Sequence, residues 1–205
     1  MIHKLVGAAV LLLFLCSSTF MFAACPTCSL VQNGGFDTGD FSGWTQFGDT
    51  TFSGVCSVST CPGGFSPYAG TYSAYFGPVG DTGGISQDIS TVPGTMYTLT
   101  FFLANPVGGT PNYFEVDFGV GTTAVAFHLT DSPAFGWTPY SFVYTASGPS
   151  TPLVFTFRND AAYWFLDDGA VTTPSQPPGS TPEPGTLALF ATGIVVIKKA
   201  VRGRR

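Results

Sequence analysis

Two carboxylates and one histidine are the residues whose type and spacing come nearest to a catalytic arrangement. Glu115 and Asp117 stand two positions apart where apolar and polar residues alternate, so both side chains are expected on one face of a strand, with Cα atoms about 6.6 Å apart. That separation suits the carboxylate pair of a glycosidase, but any Glu-x-Asp in a strand produces it. The sequence places no Ser or Cys nucleophile beside His128, so a catalytic triad is not indicated. We therefore expect a protein without enzymatic activity.

Four cysteines could form cross-links or hold a metal: Cys25, Cys28, Cys56 and Cys61. In an exported domain disulfides are expected, and four cysteines allow three pairings. Cys56 and Cys61 close a small loop within one predicted hairpin, which favours the pairs Cys56–Cys61 and Cys25–Cys28. The alternatives are a four-thiolate zinc site and lipidation of Cys25, since residues 22–25 resemble a lipobox with Phe in place of the usual aliphatic residue.

Aromatic side chains are the residues that could stack on the faces of sugar rings. Most of them are expected on the inner faces of strands. Trp137 and Tyr140 belong to a loop-rich stretch around residues 132–139 and are freer to be exposed. Because loops on a rigid scaffold often carry binding residues, these two are the predicted carbohydrate-binding residues.

Charge is distributed unevenly along the 205-residue chain, whose formal net charge is −5. Between residues 25 and 180 the only cation is Arg158, against eleven carboxylates, so this part carries a net charge of about −10. A groove for nucleic acid needs several cations, so nucleic acid is excluded as a partner. A charged fraction of 9% with 15% aromatic residues is typical of a folded domain and not of a disordered chain.

The N-terminus has the parts of a secretory signal peptide. Lys4 is followed by an apolar run over Leu5–Leu15 and by the small residues Ala23 and Ala24 before Cys25. The run is too short to span a bilayer, which takes about 20 apolar residues. We expect export, with a signal helix in residues 1–24 that signal peptidase removes.

The C-terminus consists of a linker, a short motif, an apolar run and a basic end. Residues 174–181 are rich in Pro, Ser and Gly, which is typical of a linker. The parts that follow are Pro182-Glu183-Pro184, the apolar run Leu187–Ile197, and the basic residues Lys198, Lys199, Arg202, Arg204 and Arg205. A helix over the apolar run rises only about 16 Å, half of a bilayer core, and the positive-inside rule would keep the basic end cytoplasmic. We expect a short C-terminal hydrophobic helix that holds the precursor at the membrane.

This order of Pro-Glu-Pro, apolar helix and Arg-rich end, in residues 182–205, resembles the PEP-CTERM sorting signal of Gram-negative bacteria. The same tail is also labelled an ice-binding protein C-terminal domain. The resemblance implies that an exosortase, a membrane protease, acts near Pro182–Pro184 and sends the protein to the cell surface or the extracellular matrix. Bacteria with this system are associated with exopolysaccharide production. Ice binding itself would need flat, regular arrays of Thr, which are too sparse here.

Alternation of apolar and polar residues dominates the region between the two ends. The clearest apolar faces belong to three segments: Tyr97, Leu99, Phe101 and Leu103; Phe114, Val116 and Phe118; and Leu153, Phe155 and Phe157. Pro- and Gly-rich turns separate about ten such segments. Residues 25–173 are therefore predicted to form an all-β antiparallel sandwich, or jelly roll, whose inner faces bury the aromatics.

Three segments resemble the galactose-binding-like jelly rolls, among them carbohydrate-binding modules of families 4 and 9. They are Leu30–Asp37 with the Trp44 that follows, Gly83–Ile89 before Pro93-Gly94, and Phe157–Asp160 with Tyr163–Asp168. In that family a structural calcium is often bound between the first and last strands. The resemblance therefore implies a calcium held by Asp37 and Asp168, with no other cofactor required.

Together these features predict an exported, non-catalytic protein that associates with exopolysaccharide or another matrix carbohydrate. Because the region is almost free of cations, we expect a neutral or calcium-bridged polysaccharide as the partner. Arg158 is expected to pair with Asp160 or with a carboxylate of a neighbouring strand. The alternatives are a structural envelope or matrix protein without a specific ligand and, less favoured, an enzyme that acts on polysaccharide.

Overall fold

Ten β-strands make up the part of the chain that the computed structural model describes, residues 28–121, 124–160 and 162–174. The strands are β1 Thr45–Gly48, β2 Ser53–Ser57, β3 Tyr72–Phe76, β4 Gly83–Ser90, β5 Met96–Asn105, β6 Asn112–Phe118, β7 Val125–Thr130, β8 Phe135–Thr145, β9 Ser150–Asn159 and β10 Trp164–Thr172. One short 3-10 helix, Pro62–Gly64, interrupts the connection between β2 and β3. The predicted signal helix, Cys25, the PEP motif, the C-terminal helix and the basic end all lie outside the described residues.

The strands form two five-stranded sheets. Sheet A has the order β1-β4-β9-β6-β7, and sheet B has the order β2-β3-β10-β5-β8. Every neighbouring pair is antiparallel. The predicted all-β antiparallel sandwich is therefore confirmed.

Alternation in the sequence decides which side chains enter the space between the sheets. In β6, Phe114, Val116 and Phe118 are buried, whereas Glu115 and Asp117 point to the outer face. A shift of one residue would exchange the two sets, so burial of one face fixes the register of the strand.

Aromatic rings from both sheets meet in the core. The rings of Phe76 in β3 and Phe157 in β9 lie parallel, with centroids 3.9 Å apart, and Phe101 packs edge-on against Phe155 at 5.1 Å. Trp164 is fully buried. Burying a Phe side chain stabilises a fold by roughly 1.5–3 kcal/mol, so these contacts hold the two sheets face to face.

The connection between β2 and β3, residues 58–71, covers part of the outer face of sheet B; we refer to it as the covering loop. Its Phe65 ring lies 4.7 Å from Phe165 and 5.4 Å from Trp137, and its Tyr68 ring stacks on Phe102 at 3.5 Å, between ring centroids. Phe65, Phe165 and Trp137 belong to a second apolar cluster, outside the main core.

Polar and covalent contacts hold the covering loop in place. A disulfide joins Cys56 to Cys61, which confirms the predicted pair and excludes the four-thiolate zinc site. Trp137 Nε1 donates to the carbonyl oxygen of Ser66 at 3.0 Å. The buried carboxylate of Asp167 accepts hydrogen bonds from the backbone N–H of Tyr68 at 3.0 Å and of Ala69 at 3.2 Å.

No helix among the described residues has the length and apolar character needed to cross a membrane.

Candidate functional site

Two adjoining cavities open at one end of the sandwich, where the β1–β2, β3–β4, β5–β6 and β9–β10 connections meet the covering loop. The larger has a volume of about 400 Å³ and the smaller about 190 Å³. Both are lined by Ala162 and Tyr163, so they adjoin at these two residues, and we call the two cavities together the end site. Concave sites of this kind are where small ligands bind to proteins.

Aromatic rings form the wall of the larger cavity. Phe65, Tyr163 and Phe165 line it, together with the aliphatic side chains of the β5–β6 turn. Tyr163 packs edge-on against Tyr75 at 5.6 Å. Gly77 is required for this position, because a Cβ there would lie 2.8 Å from two carbons of the Tyr163 ring.

Exposed apolar residues surround the opening of the end site. Phe52 and Val79 line the smaller cavity and Val107 lines the larger one, and their side chains are 61%, 49% and 67% exposed. Three large apolar side chains that are exposed to solvent around the end site indicate a binding surface.

The smaller cavity also has polar lining residues. Asn159 and Asp160 line it. Asn159 is 1% exposed, and its Oδ1 atom accepts no hydrogen bond from any described residue. Asp160 receives two hydrogen bonds from Arg158, each 2.7 Å long, and one from the backbone N–H of Gly80 at 3.1 Å. The hydrogen bonds from Arg158 and Gly80 lower the pKa of Asp160 to about 2.

The end site was not predicted from the sequence. The Arg158–Asp160 pair was predicted and is confirmed, but Asn159 and Tyr163 had no assigned role. They belong to the closing segments that resemble galactose-binding jelly rolls, so this resemblance was the signal that could have identified them.

The predicted placement of Trp137 and Tyr140 in a loop is wrong, because both lie within strand β8. Tyr140 points between the sheets, where its ring stacks on Phe101 at 5.3 Å. Trp137 lies on the outer side of sheet B and packs under the covering loop. Strand β8 begins at Phe135 and includes a Gly and a Pro that suggested a loop, and its pairing with β5 shifts register between Leu103 and Asn105. Sugar binding by either residue stays a prediction.

The outer face of sheet A carries the residues with catalytic potential. Glu115 is directly opposite His128 in the pairing of β6 with β7, and the Tyr113 and His128 rings stack at 6.2 Å. Burial and the charge of Glu115 raise the pKa of Asp117. Burial, a hydrogen bond with Glu115 and two carboxylate charges raise the pKa of Tyr113 to about 12. None of these side chains lines the end site.

Asp37 and Asp168 come together from distant parts of the chain. Asp37 lies in the segment before β1, and Asp168 lies at the bulge of β10, where pairing with β5 shifts register. Both carboxylates reach the space beside Gly35: a Cβ there would be 3.4 Å from Asp37 Oδ2 and 3.9 Å from Asp168 Oδ1. No side-chain hydrogen bond between described residues occupies either carboxylate.

Two oxygen ligands from separate segments fit Ca²⁺, which prefers hard oxygen donors and whose shell backbone carbonyls can complete. Phe36 and Asp168 have left-handed backbone conformations, with φ of 57° and 54°, so the backbone on both sides of the pair is sharply turned. No group of three or more His, Cys, Asp or Glu side chains suited to a metal occurs in the described part of the chain.

The fold is that of a carbohydrate-binding-module jelly roll. A family 61 carbohydrate-binding module in complex with β-1,4-galactotriose superposes with a TM-score of 0.58 at 18% identity, covering 72% of this chain and 99% of that one. A family 16 carbohydrate-binding module has a TM-score of 0.50 at 18% identity, covering 70% and 99%. An arabinose-bound α-L-arabinofuranosidase of family GH51 has a TM-score of 0.53 at 14% identity, but the match covers 72% of this chain and only 27% of that enzyme.

The chain belongs to the family described as "Protein of unknown function (DUF642)", whose profile matches residues 69–171. A second profile, the PEP-CTERM protein-sorting motif, matches residues 180–205. The predicted sorting signal is therefore confirmed, and the motif marks the protein as an exported one. No curated protein is significantly similar to the chain in sequence.

Proposed function

We propose that the protein is a non-catalytic carbohydrate-binding protein of the cell surface or extracellular matrix. In this account the signal peptide directs export, the C-terminal tail holds the precursor at the membrane of a Gram-negative bacterium, and an exosortase acts at Pro182–Pro184. The ligand is exopolysaccharide or a related matrix carbohydrate, which is the polymer associated with this sorting system.

The end site is the observation that carries the proposal. It combines an aromatic wall, an exposed apolar rim and a buried hydrogen-bond acceptor. A pyranose ring has a C–H face that packs on aromatic rings and hydroxyls that need polar partners, so this combination suits a sugar. The related folds include modules solved with bound sugar, which supports the same class of ligand.

Catalysis is not proposed for the carboxylates of sheet A. Glu115 and Asp117 lie on the outer face of one strand, away from the end site that has the shape for a ligand. Calcium is proposed as a structural ion between Asp37 and Asp168, where it would join the first segment of the sandwich to the last strand.

A glycan array with the purified protein tests whether it binds carbohydrate, and two tyrosine variants test whether the carbohydrate binds at the end site. Tyr163→Ala removes a wall of the end site, whereas the matched control Tyr113→Ala removes a half-buried tyrosine from the outer face of sheet A. We expect at least tenfold weaker binding for Tyr163→Ala, because truncating an aromatic anchor typically costs more than about 1 kcal/mol, and unchanged binding for the control. Absence of binding to any neutral or acidic polymer would leave a structural matrix protein as the function.

A further inference from the structure

Three buried asparagines gather below the β5–β6 turn, beside the end site. Asn105, Asn112 and Asn159 are each at most 1% exposed. Asn112 and Asn159 are direct neighbours in the pairing of β6 with β9, and Asn159 Nδ2 donates to Asn105 Oδ1 at 3.4 Å. This last contact sets the orientation of the Asn159 amide: Nδ2 faces Asn105, and Oδ1 is turned away from it.

Two of the three amides have their oxygens occupied within the protein. Asn105 Oδ1 accepts from the backbone N–H of Gly108 at 3.2 Å, and Asn112 Oδ1 accepts from the backbone N–H of Ser132 at 3.0 Å. Asn159 differs, since its Oδ1 is buried and without a donor, and the residue lines the smaller cavity. A buried acceptor without a partner costs stability, so a donor from a ligand would relieve that cost.

The charges around this acceptor disfavour an anionic ligand. Asp160 also lines the smaller cavity, and its partner Arg158 interacts electrostatically with Asp81 and Asp131 as well. One cation among these three carboxylates leaves a local excess of negative charge, and two nitrogens of the Arg158 guanidinium, Nε and Nη2, already bind Asp160. A uronic acid would bring a further negative charge to this place.

We propose that the end site selects a neutral sugar, with one hydroxyl donating to Asn159 Oδ1 and the pyranose face packed on Tyr163. The inference rests on the proposed carbohydrate-binding function. It adds that the ligand is uncharged and that Asn159 accepts a hydrogen bond from one of its hydroxyls. A sugar hydroxyl is suited to this position because it can donate to Asn159 and accept or donate elsewhere in the same cavity.

Affinity electrophoresis of the purified protein in gels that contain one polymer each tests the inference. The neutral polymers are galactan, glucan and mannan, and their acidic counterparts are polygalacturonate, polyglucuronate and polymannuronate. We expect retardation by at least one neutral polymer and at least tenfold weaker affinity for its uronate. This comparison needs only the wild-type protein.

The variant Asn159→Leu tests the acceptor, since Leu has a similar volume and no polar atom. We expect roughly tenfold weaker affinity for the neutral polymer, the size of one hydrogen bond. The melting temperature should not fall much, because Asn105 Oδ1 keeps its bond from Gly108. Tyr113→Ala serves again as the control outside the end site.

The outcomes separate the inference from the proposed function. If no polymer retards the wild-type protein, the carbohydrate-binding function itself fails. If a neutral polymer binds but Asn159→Leu binds it equally well, the function stands and the role of Asn159 is wrong. Equal or tighter binding of a uronate polymer would overturn the neutral-sugar selectivity.

Discussion

Asp167 provides a sharp test of how the covering loop is attached to sheet B. Its carboxylate is completely buried, and its hydrogen bonds come only from backbone N–H groups, those of Tyr68, Ala69 and Asp168. Burial raises the pKa of Asp167 from 3.8 to about 7. The folded protein therefore holds a proton on this group over a pH range in which the unfolded chain has lost it.

The sign and size of the effect follow from this difference. Between about pH 4 and pH 7 the folded state binds more protons than the unfolded state, so the free energy of unfolding falls as pH rises. A tenfold change in proton affinity corresponds to about 1.4 kcal/mol, which gives an upper limit of about 4 kcal/mol for Asp167. Asp160, whose pKa is lowered to about 2, contributes stability that is lost only below about pH 4.

Urea unfolding between pH 4.5 and pH 8.5 measures the effect in wild type and in Asp167→Asn. The amide of the Asp167→Asn variant has one accepting oxygen where the carboxylate of Asp167 has two, which lowers the free energy of unfolding by about 1 kcal/mol. Unlike the carboxyl group, the amide does not ionise. We expect the variant to be less stable at pH 5 and at least as stable as wild type at pH 8, so the two curves cross. Asp117, whose pKa is also raised, adds a slope of the same sign to both proteins and cancels in the comparison.

Asp88→Asn is the matched control, because it makes the same charge change at an exposed position of β4. Its stability should follow the wild-type curve in parallel. Parallel curves for wild type and Asp167→Asn over the whole range would refute the argument, since they would mean that Asp167 has the same proton affinity in the folded and unfolded chains.

Three further predictions concern the disulfide, the core and the calcium site. Replacing Cys56 and Cys61 together by Ala should lower the free energy of unfolding by about 2 kcal/mol, the chain-entropy value for so short a loop; no change in the urea midpoint would contradict this. Phe157→Ala should cost about 3–5 kcal/mol, since the ring is fully buried against a parallel partner, and a loss below 1 kcal/mol in the same assay would contradict that packing. Added CaCl₂ should raise the melting temperature relative to EDTA, because an ion that binds only the folded state stabilises it. The double variant with Asp37→Asn and Asp168→Asn should abolish this difference. Identical melting temperatures of the wild-type protein in CaCl₂ and in EDTA would reject the calcium site.

The strands could be predicted because burial of one face leaves a strong pattern in the sequence. Large apolar residues at alternate positions, Tyr97, Leu99, Phe101 and Leu103 in β5 and Leu153, Phe155 and Phe157 in β9, are the ones found between the sheets. The Cys56–Cys61 disulfide was also predictable, because a separation of five residues within one hairpin brings the two side chains together.

The end site, in contrast, leaves no pattern in the sequence from which it could be predicted. Its residues come from five connections and the strand ends beside them, and their proximity depends on how the two sheets pack and not on any local spacing. Asn159 occupies an inward position of a strand and Tyr163 follows a turn, so neither has a periodic signature. Trp137 shows the opposite error: an aromatic residue near Pro and Gly looked like an exposed loop residue, although it lies in β8 under the covering loop.

Chemical-shift mapping by NMR tests carbohydrate binding at the end site without any change to the protein. The isotope-labelled protein is titrated with the neutral oligosaccharides β-1,4-galactotriose, cellotriose and mannotriose, and the side-chain amide signal of Asn159 and the signals of Tyr163 are followed. If carbohydrate binds at the end site, at least one of these sugars shifts the signals of both residues in a saturable manner and leaves the signals of Tyr113 and His128 unchanged. Saturable shifts confined to the outer face of sheet A, or no shift with any of the three sugars, would contradict it.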